Sequence, residues 1–262
     1  MKTYKKLLSS VLWLAAALII WEAAAYILRD VICDPLAAKK VPGLLEIGAS
    51  FLQNSVELMR QAGVTMSYAA AGFALGASVG IILGLAMSIS GLCEKMILPY
   101  LLASQMIPII GLAPIILGLF KDIAVSRVVI AAYITFFPVS VNFLSGLKAS
   151  EENLKSMMRV YAADKCRLYS KLLVPNALPY LFSGLKISAP MAVTAAVLVD
   201  TLSSKDGIGY VIVFTLYGGG TTGQFWPAVI IAALLGLLSF LIISAAEYIL
   251  IPWKRQKEEV RK

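Results

Sequence analysis

The chain contains no histidine, and cysteine occurs at three of its 262 positions. The first absence removes the Ser-His-Asp triad, the commonest zinc ligand and histidine proton relays. Cys33, Cys93 and Cys166 stand apart and are odd in number, so neither a disulfide framework nor a metal-ligand spacing is present. Charge is scarce too, at 15% of residues against roughly 25% in soluble domains. No G-x-x-x-x-G-K-[ST] run occurs, which excludes a phosphate loop. Nor do nucleophiles and carboxylates cluster as an enzyme would need. The chain is expected to be non-catalytic and to carry no metal or cofactor of its own.

What fills the space is apolar: 60% of residues are hydrophobic. The fold class is therefore an all-α integral membrane protein. Windows of about 20 apolar residues predict six spans, near 8–28, 66–88, 96–120, 125–147, 178–202 and 226–253. The N-terminal Lys2, Lys5 and Lys6 followed by an apolar run read as a retained first span, because no cleavage site leads into soluble sequence. Between the first two spans, Pro35, Pro42 and Gly43 mark breaks, and residues 44–59 suggest an amphipathic helix resting at the interface. The domain reading is a first span over 1–30, an extracytoplasmic linker over 31–64, a core over 65–253 and a tail over 254–262.

A net charge of +8 raises nucleic acid as a partner, but the basic residues flank apolar spans instead of forming one interleaved face. They act as topology signals. Six spans put both termini on one side, and that side holds most of the 23 basic residues. The other keeps Arg29, Lys39, Lys40, Arg60, Lys121, Arg127 and Lys205. By the positive-inside rule both termini are cytoplasmic, in a multi-pass protein of the bacterial inner membrane. The loop over 150–175 is cytoplasmic as well.

That loop is the most informative stretch. Ser150, with Glu151 and Glu152 after it, predicts a helix start. Leu154, Met157, Met158 and Tyr161 recur at helical spacing, with Lys155 and Arg159 on another face. Ala162 and Ala163 form the bend, Asp164 caps a second short helix, and Pro175 and Pro179 are expected to end regular helix. A loop of this kind lies on lipid headgroups or docks a cytoplasmic partner.

Inside the membrane, Gly72, Gly76, Gly80 and Gly84 recur every fourth residue and predict a helix-packing stripe. Polar groups cost so much at that depth that Gln105, Thr194 and Asp200 are candidates for a solute pathway, with Pro108 bending the helix nearby. Glu22 and Glu247 read as structural. Beyond Asp200, residues 211–217 are too short to span and suggest an outer helix between glycine hinges.

Over about residues 63–253 the chain resembles the membrane-spanning subunits of binding-protein-dependent ABC importers. The branch it resembles serves sulfonates, taurine, nitrate, hydroxymethylpyrimidine, riboflavin and similar solutes. Val174-Pro175 matches the Leu-Pro that ends the family's cytoplasmic coupling loop, and Ala177-Leu178-Pro179-Tyr180 with Gly184-Leu185 matches its continuation. The front half departs: the family's Glu falls on Ser156, its Ala-Ala pair on Met157-Met158 and its Gly on Ala162. Gly207-Ile208-Gly209-Tyr210 and Ile251-Pro252-Trp253 also match. The resemblance implies a type I ABC importer permease fold with coupling helices, in which Met157, Met158, Tyr161, Ala162, Ala163, Asp164, Val174 and Pro175 dock the ATPase. It further implies two ABC ATPase subunits that hold the ATP and Mg, an extracytoplasmic solute-binding protein, and a second permease copy or paralogue. Among solutes, thiamine-precursor pyrimidines or riboflavin are favoured over sulfonate, taurine and nitrate. The contrasting readings are a secondary carrier, which intramembrane carboxylates would mark, and a membrane scaffold.

Overall fold

The computed structural model describes residues 2–33, 40–219 and 223–253, and all regular elements among them are helical. Helix α1 (Lys2–Tyr26) runs into a π-helical turn at Ile27–Val31, and α2 covers Leu44–Ile89. Then come α3 (Gly91–Met106), α4 (Ile109–Phe120), α5 (Ile123–Lys148), α6 (Glu152–Val160) and α7 (Lys165–Leu168). A second π-helical turn, Tyr169–Leu173, leads into α8 (Val174–Ser203), followed by α9 (Ile208–Leu216) and α10 (Phe225–Leu250). The expected break at Pro35, the basic Lys39, the hinge residues Gly220 to Thr222 and the tail over 254–262 lie outside the described residues.

Among the described residues, five stretches are long and apolar enough to cross a membrane: Val11–Val31, Leu44–Ile89, Ile123–Lys148, Lys165–Leu202 and Phe225–Leu250. Helices α3 and α4 make a sixth if counted as one span, and they meet at 96°. The cause is local. Pro108 has no N–H to give and forces the preceding Ile107 into extended backbone, so α3 stops and α4 restarts with Leu112 N–H on the Pro108 carbonyl.

The expected break between residues 59 and 66 is absent. The interfacial helix over 44–59 and the span over 66–88 are one 46-residue helix, α2. Between them lie Arg60 to Thr65, with Gly63 the weakest helix former and no proline, and a single glycine without proline does not end a helix. The helix is about 70 Å long at 1.5 Å per residue, so part of it must extend past a hydrocarbon layer of roughly 30 Å.

The chain divides into two compact units. In the first, Met1–Arg60 with Val211–Ile231, Glu22 accepts the Leu44 N–H at 2.9 Å, Trp21 donates to the Pro42 carbonyl, and the Trp21 ring meets Trp226 edge-on at 4.7 Å. Gln224 donates to Asn54 at 2.6 Å. Glu22 thus supplies a cap for the exposed amides that begin α2.

The second unit, Gln61–Tyr210 with Ala232–Lys262, holds the core. Lipid offers no hydrophobic drive for helices to associate, so close packing must supply it. A Cβ added at Gly72 would stand 2.6 Å from the Val128 carbonyl oxygen, one at Gly76 2.5 Å from that of Ala132, and one at Gly80 2.7 Å from that of Phe136. At Gly84 the gap to the Ser140 oxygen opens to 3.1 Å. The stripe on α2 therefore lies backbone to backbone along α5. On its other side α5 meets α8 as closely, with Gly146 against Ala177 and Gly184 against Pro138. Val139, Phe143 and Leu147 of α5, Leu173 of the π-helical turn and Ala177 and Leu181 of α8 close the core between them.

Gly76→Ala is expected to lower stability by about 1–3 kcal/mol, because the obstructing atoms are backbone and cannot swing aside. Gly118→Ala on α4 meets nothing within 4 Å and should leave the melt unchanged or slightly raised. Detergent melting curves of the two variants check this pair; equal curves would mean that α2 and α5 are not in backbone contact.

Candidate functional site: a presented loop and a buried polar network

Two features stand at opposite ends of α5 and α8. At the first end is the loop between them. Helix α6 begins at Glu152 and has no side-chain cap. Ser150, expected as the cap, is buried and accepts from Asn176 Nδ2 at 3.1 Å, tying the two ends of the loop together. Leu154, Met157, Val160 and Tyr161 are all exposed, Met157 at 49%, Tyr161 at 75% and Val160 at 84%, while Met158 is half-buried. Their three- and four-residue spacing puts them along one side of a short helix, with Lys155 and Arg159 paired to Glu152.

The bend after α6 has a defined form. The N–H of Ala163 reaches the Met158 carbonyl at 3.0 Å and that of Ala162 the Arg159 carbonyl at 2.9 Å, while Ala162 adopts φ +50°. This is a Schellman stop with alanine where glycine is the usual residue. Asp164 then caps α7 through the Arg167 N–H at 3.0 Å.

Pro175 and Pro179 do not end the helix, contrary to expectation. The helical run continues from Lys165 to Leu202. In the π-helical turn the Val174 N–H bonds Tyr169 O, one residue further back than in an α-helix, and Pro175 follows at the first turn of α8, where its missing N–H is tolerated. The same turn aims Tyr169 at the end of α2. Its hydroxyl and the Ser88 hydroxyl lie 3.0 Å apart, and it also reaches the Ser88 carbonyl at 3.0 Å. Leu168, Tyr169 and Val174 pack on the core, so the loop rises from a fixed base. Lys148 and Glu94 add an ion pair at that end, at 2.5 Å.

The second feature was not foreseen as a unit. Arg127, placed among the loop charges by sequence, is 2% exposed, and its Nε donates to Asp200 Oδ1 at 2.6 Å. Asp200, expected on a solute pathway, is 1% exposed and committed to protein partners. An ionised carboxylate at that depth needs a counter-charge, and Arg127 is it. The Arg127 Nη2 reaches Ser204 Oγ at 2.5 Å and Asp206 Oδ1 at 2.7 Å, and the guanidinium lies 4.9 Å from the centre of the Tyr68 ring. Asp200 Oδ2 accepts from Thr65 Oγ1 at 2.6 Å and from the Gly209 N–H at 3.3 Å. Thr65 Oγ1 in turn accepts the Ile208 N–H at 2.8 Å, and Gln61 Oε1 accepts the Gly207 N–H at 2.6 Å. The first amides of α9 are thus capped by side chains of α2 and α8.

The remaining pathway candidates are not gathered. Gln105 is exposed near the α3–α4 bend with Ser104 Oγ at 3.5 Å, Pro108 begins α4, and Thr194 is exposed and donates to the Pro190 carbonyl at 3.1 Å. Glu247 pairs with Lys186 at 2.6 Å between α10 and α8. No group of three potential metal ligands occurs among the described residues.

The family described as binding-protein-dependent transport system inner membrane component matches residues 76–256, and the chain belongs to it. It is 31% identical to the formylaminopyrimidine transport permease protein of Halalkalibacterium halodurans, over 98% of this chain and all of that one. It is 28% identical to a putative aliphatic sulfonates transport permease protein of Bacillus subtilis, over 78% of this chain and 74% of that one. Among solved structures, an amino acid ABC transporter with histidines superposes with a TM-score of 0.62 at 13% identity, covering 78% of this chain and 97% of that one. The fold is that of an ABC importer permease.

Ala162 predicts a measurable strain. A left-handed residue with a Cβ costs roughly 1–2 kcal/mol, and glycine removes that cost at the price of some chain entropy. Ala162→Gly should therefore slow hydrogen exchange of the Ala163 amide. Faster exchange would mean that the bend is not held in this conformation.

Proposed function

We propose that the chain is half of an ATP-driven import pore for a small heterocyclic solute, with a thiamine-precursor pyrimidine favoured over riboflavin, sulfonate, taurine or nitrate. The observation that carries the import reading is the exposed apolar side of α6, raised on a base that is anchored in the core. A solvated loop gains nothing from exposing Met157, Val160 and Tyr161, whereas a groove on a partner would bury them. In this reading the partner is an ABC ATPase, one per permease copy, and it holds the ATP and Mg. The loop, both termini and the tail over 254–262 face the cytoplasm. The Asp200 end faces outward, where a solute-binding protein delivers its ligand.

The pyrimidine preference is supported by the formylaminopyrimidine permease, which matches this chain over essentially the full length of both. Solute recognition would rest mainly with the binding protein, since Asp200 is committed to protein partners and Gln105 and Thr194 are not gathered into one site.

The docking surface makes a direct prediction. Met157→Asp combined with Tyr161→Asp alters two exposed side chains, so the permease should insert and melt like the wild type. Pull-down of the cognate ATPase should fall by about two orders of magnitude, as expected when charges enter an apolar hot spot. Wild-type recovery of the ATPase by the double variant would reject α6 as the docking element. Uptake of labelled formylaminopyrimidine, riboflavin and taurine into proteoliposomes of the complete transporter tests the solute, and import of taurine alone would reject the pyrimidine reading.

A further inference from the structure

The Arg127–Asp200 network is built differently from an ion pair that only neutralises charge. Two groups suffice for neutralisation, yet Arg127 also holds Ser204 Oγ, the Asp206 carbonyl and Asp206 Oδ1, all on the turn between α8 and α9. Burying such a pair adds little stability over apolar side chains of the same volume, so its presence calls for another explanation.

Within the turn, Ser204 and Asp206 bond to each other, with the Asp206 N–H on Ser204 Oγ at 3.1 Å, but these bonds do not reach the start of α9. Gly207 sits at φ +92° and has no side chain with which to cap α9. The amides of Gly207, Ile208 and Gly209 are instead satisfied by Gln61, Thr65 and Asp200, which come from α2 and α8. A helix start capped in this way keeps its place only while those helices keep theirs.

Helices α5 and α8 link this turn to the presented loop. They touch through Gly146 and Gly184, share the core around Phe143 and Ala177, and run from the loop at one end to Arg127 and Asp200 at the other. Packed helices of this kind move as a body, without bending continuously along their length.

We propose that Arg127 and Asp200 are positioning residues that fasten the Ser204–Gly207 turn and the start of α9 to the α5–α8 pair, so that displacement of the loop by the ATPase is delivered to the opposite face. The proposal rests on the import reading for its direction and its consequence. The fastening itself belongs to this chain alone.

Two measurements on the complete transporter separate the parts. Spin labels at Lys205 and Val125, both exposed, are introduced after Cys33, Cys93 and Cys166 are changed to Ser. In the wild type the distance between them should stay single and unchanged between nucleotide-free and ATP-trapped states. A distance that shifts or broadens on trapping ATP would overturn the proposal. The second measurement uses the Ser204→Ala, Asp206→Ala double variant, which removes both side-chain contacts of the turn with Arg127 and leaves the Asp206 carbonyl contact and the buried Arg127–Asp200 pair in place. It should bind the ATPase and melt like the wild type, broaden the label distance, and import about tenfold less solute per ATP hydrolysed, within the usual range of coupling energies. Asp206→Glu with Ser204 retained should recover most of that loss. Full import per ATP by the double variant would overturn the proposal. Failure of the wild type to import anything with ATP would reject the import reading instead, while a fixed label distance that broadens in the double variant would still support the fastening.

Discussion

The close approach of α2 and α5 is the constraint on which the rest of the bundle depends. Gly72, Gly76 and Gly80 bring the two backbones within the space of a missing methyl group, and only one register of the helices satisfies all three contacts. Counting back along the same face of α2 gives Tyr68, Thr65 and Gln61, at helical spacing from Gly72. Counting back along α5 from Ala131 gives Arg127. The register set by glycine therefore delivers a guanidinium to a tyrosine face and a threonine hydroxyl to the carboxylate that balances it. Packing in the middle of the bundle fixes the chemistry at its end.

That end obeys a rule specific to lipid: polar groups without water must find their partners in the protein. Thr65 shows how fully the rule is met. Its one hydroxyl hydrogen goes to Asp200, 2.6 Å away, in preference to the Gln61 carbonyl at 3.3 Å, and its lone pair takes the Ile208 amide. Ser188, buried between α8 and α5, donates to the Gly184 carbonyl in its own helix. The Lys186–Glu247 pair follows the same logic where α8 meets α10. Among the described residues each buried charge has a counter-charge on another helix, so the ion pairs also specify which helices are neighbours.

Much of the fold was legible because hydrophobic length and proline placement act locally. The apolar runs lie in the observed helices, and Pro108 marks the sharp bend. The glycine spacing pointed to a packed face, although its partner α5 could not be named without the three-dimensional contacts. What the sequence hid is non-local or cooperative. The join at residues 60–65 carries no strong break signal, and the intervening segment reads as polar enough to be separate, so one helix looked like two. Pro175 looked like a terminator because its effect depends on the π-helical turn before it, which no single residue announces. Arg127 was the nearest miss. It lies within the apolar run that became α5, where a lone arginine requires an acidic partner, and Asp200 was the corresponding lone acid near the end of α8. Pairing the two requires only that each be read as unaffordable alone. The two short helices of the loop over 150–175 were more legible, since their apolar spacing and the Asp164 cap are written within one short segment, yet the strained Ala162 needed the backbone angle to be seen.

The division of labour along the chain follows from where rigidity is placed. At the loop, Tyr169 ties the π-helical turn to the last turn of α2, and Asn176 ties α8 to Ser150, so both flanking helices and α2 meet at the base of α6. At the far end the same three helices meet again, through Thr65, Arg127 and Asp200. Three helices fastened at both ends and in backbone contact between them cannot easily slide past one another, because each slip would break a buried hydrogen bond and misalign a glycine contact at once. By contrast, α3 and α4 meet at a proline break of 96°, where the run of helical hydrogen bonds is interrupted. Under the proposed import reading, a subunit that takes work from a partner needs both a stiff group to carry displacement and a jointed one to let a passage open, and in that reading glycine contacts and buried charge supply the first and the proline break the second.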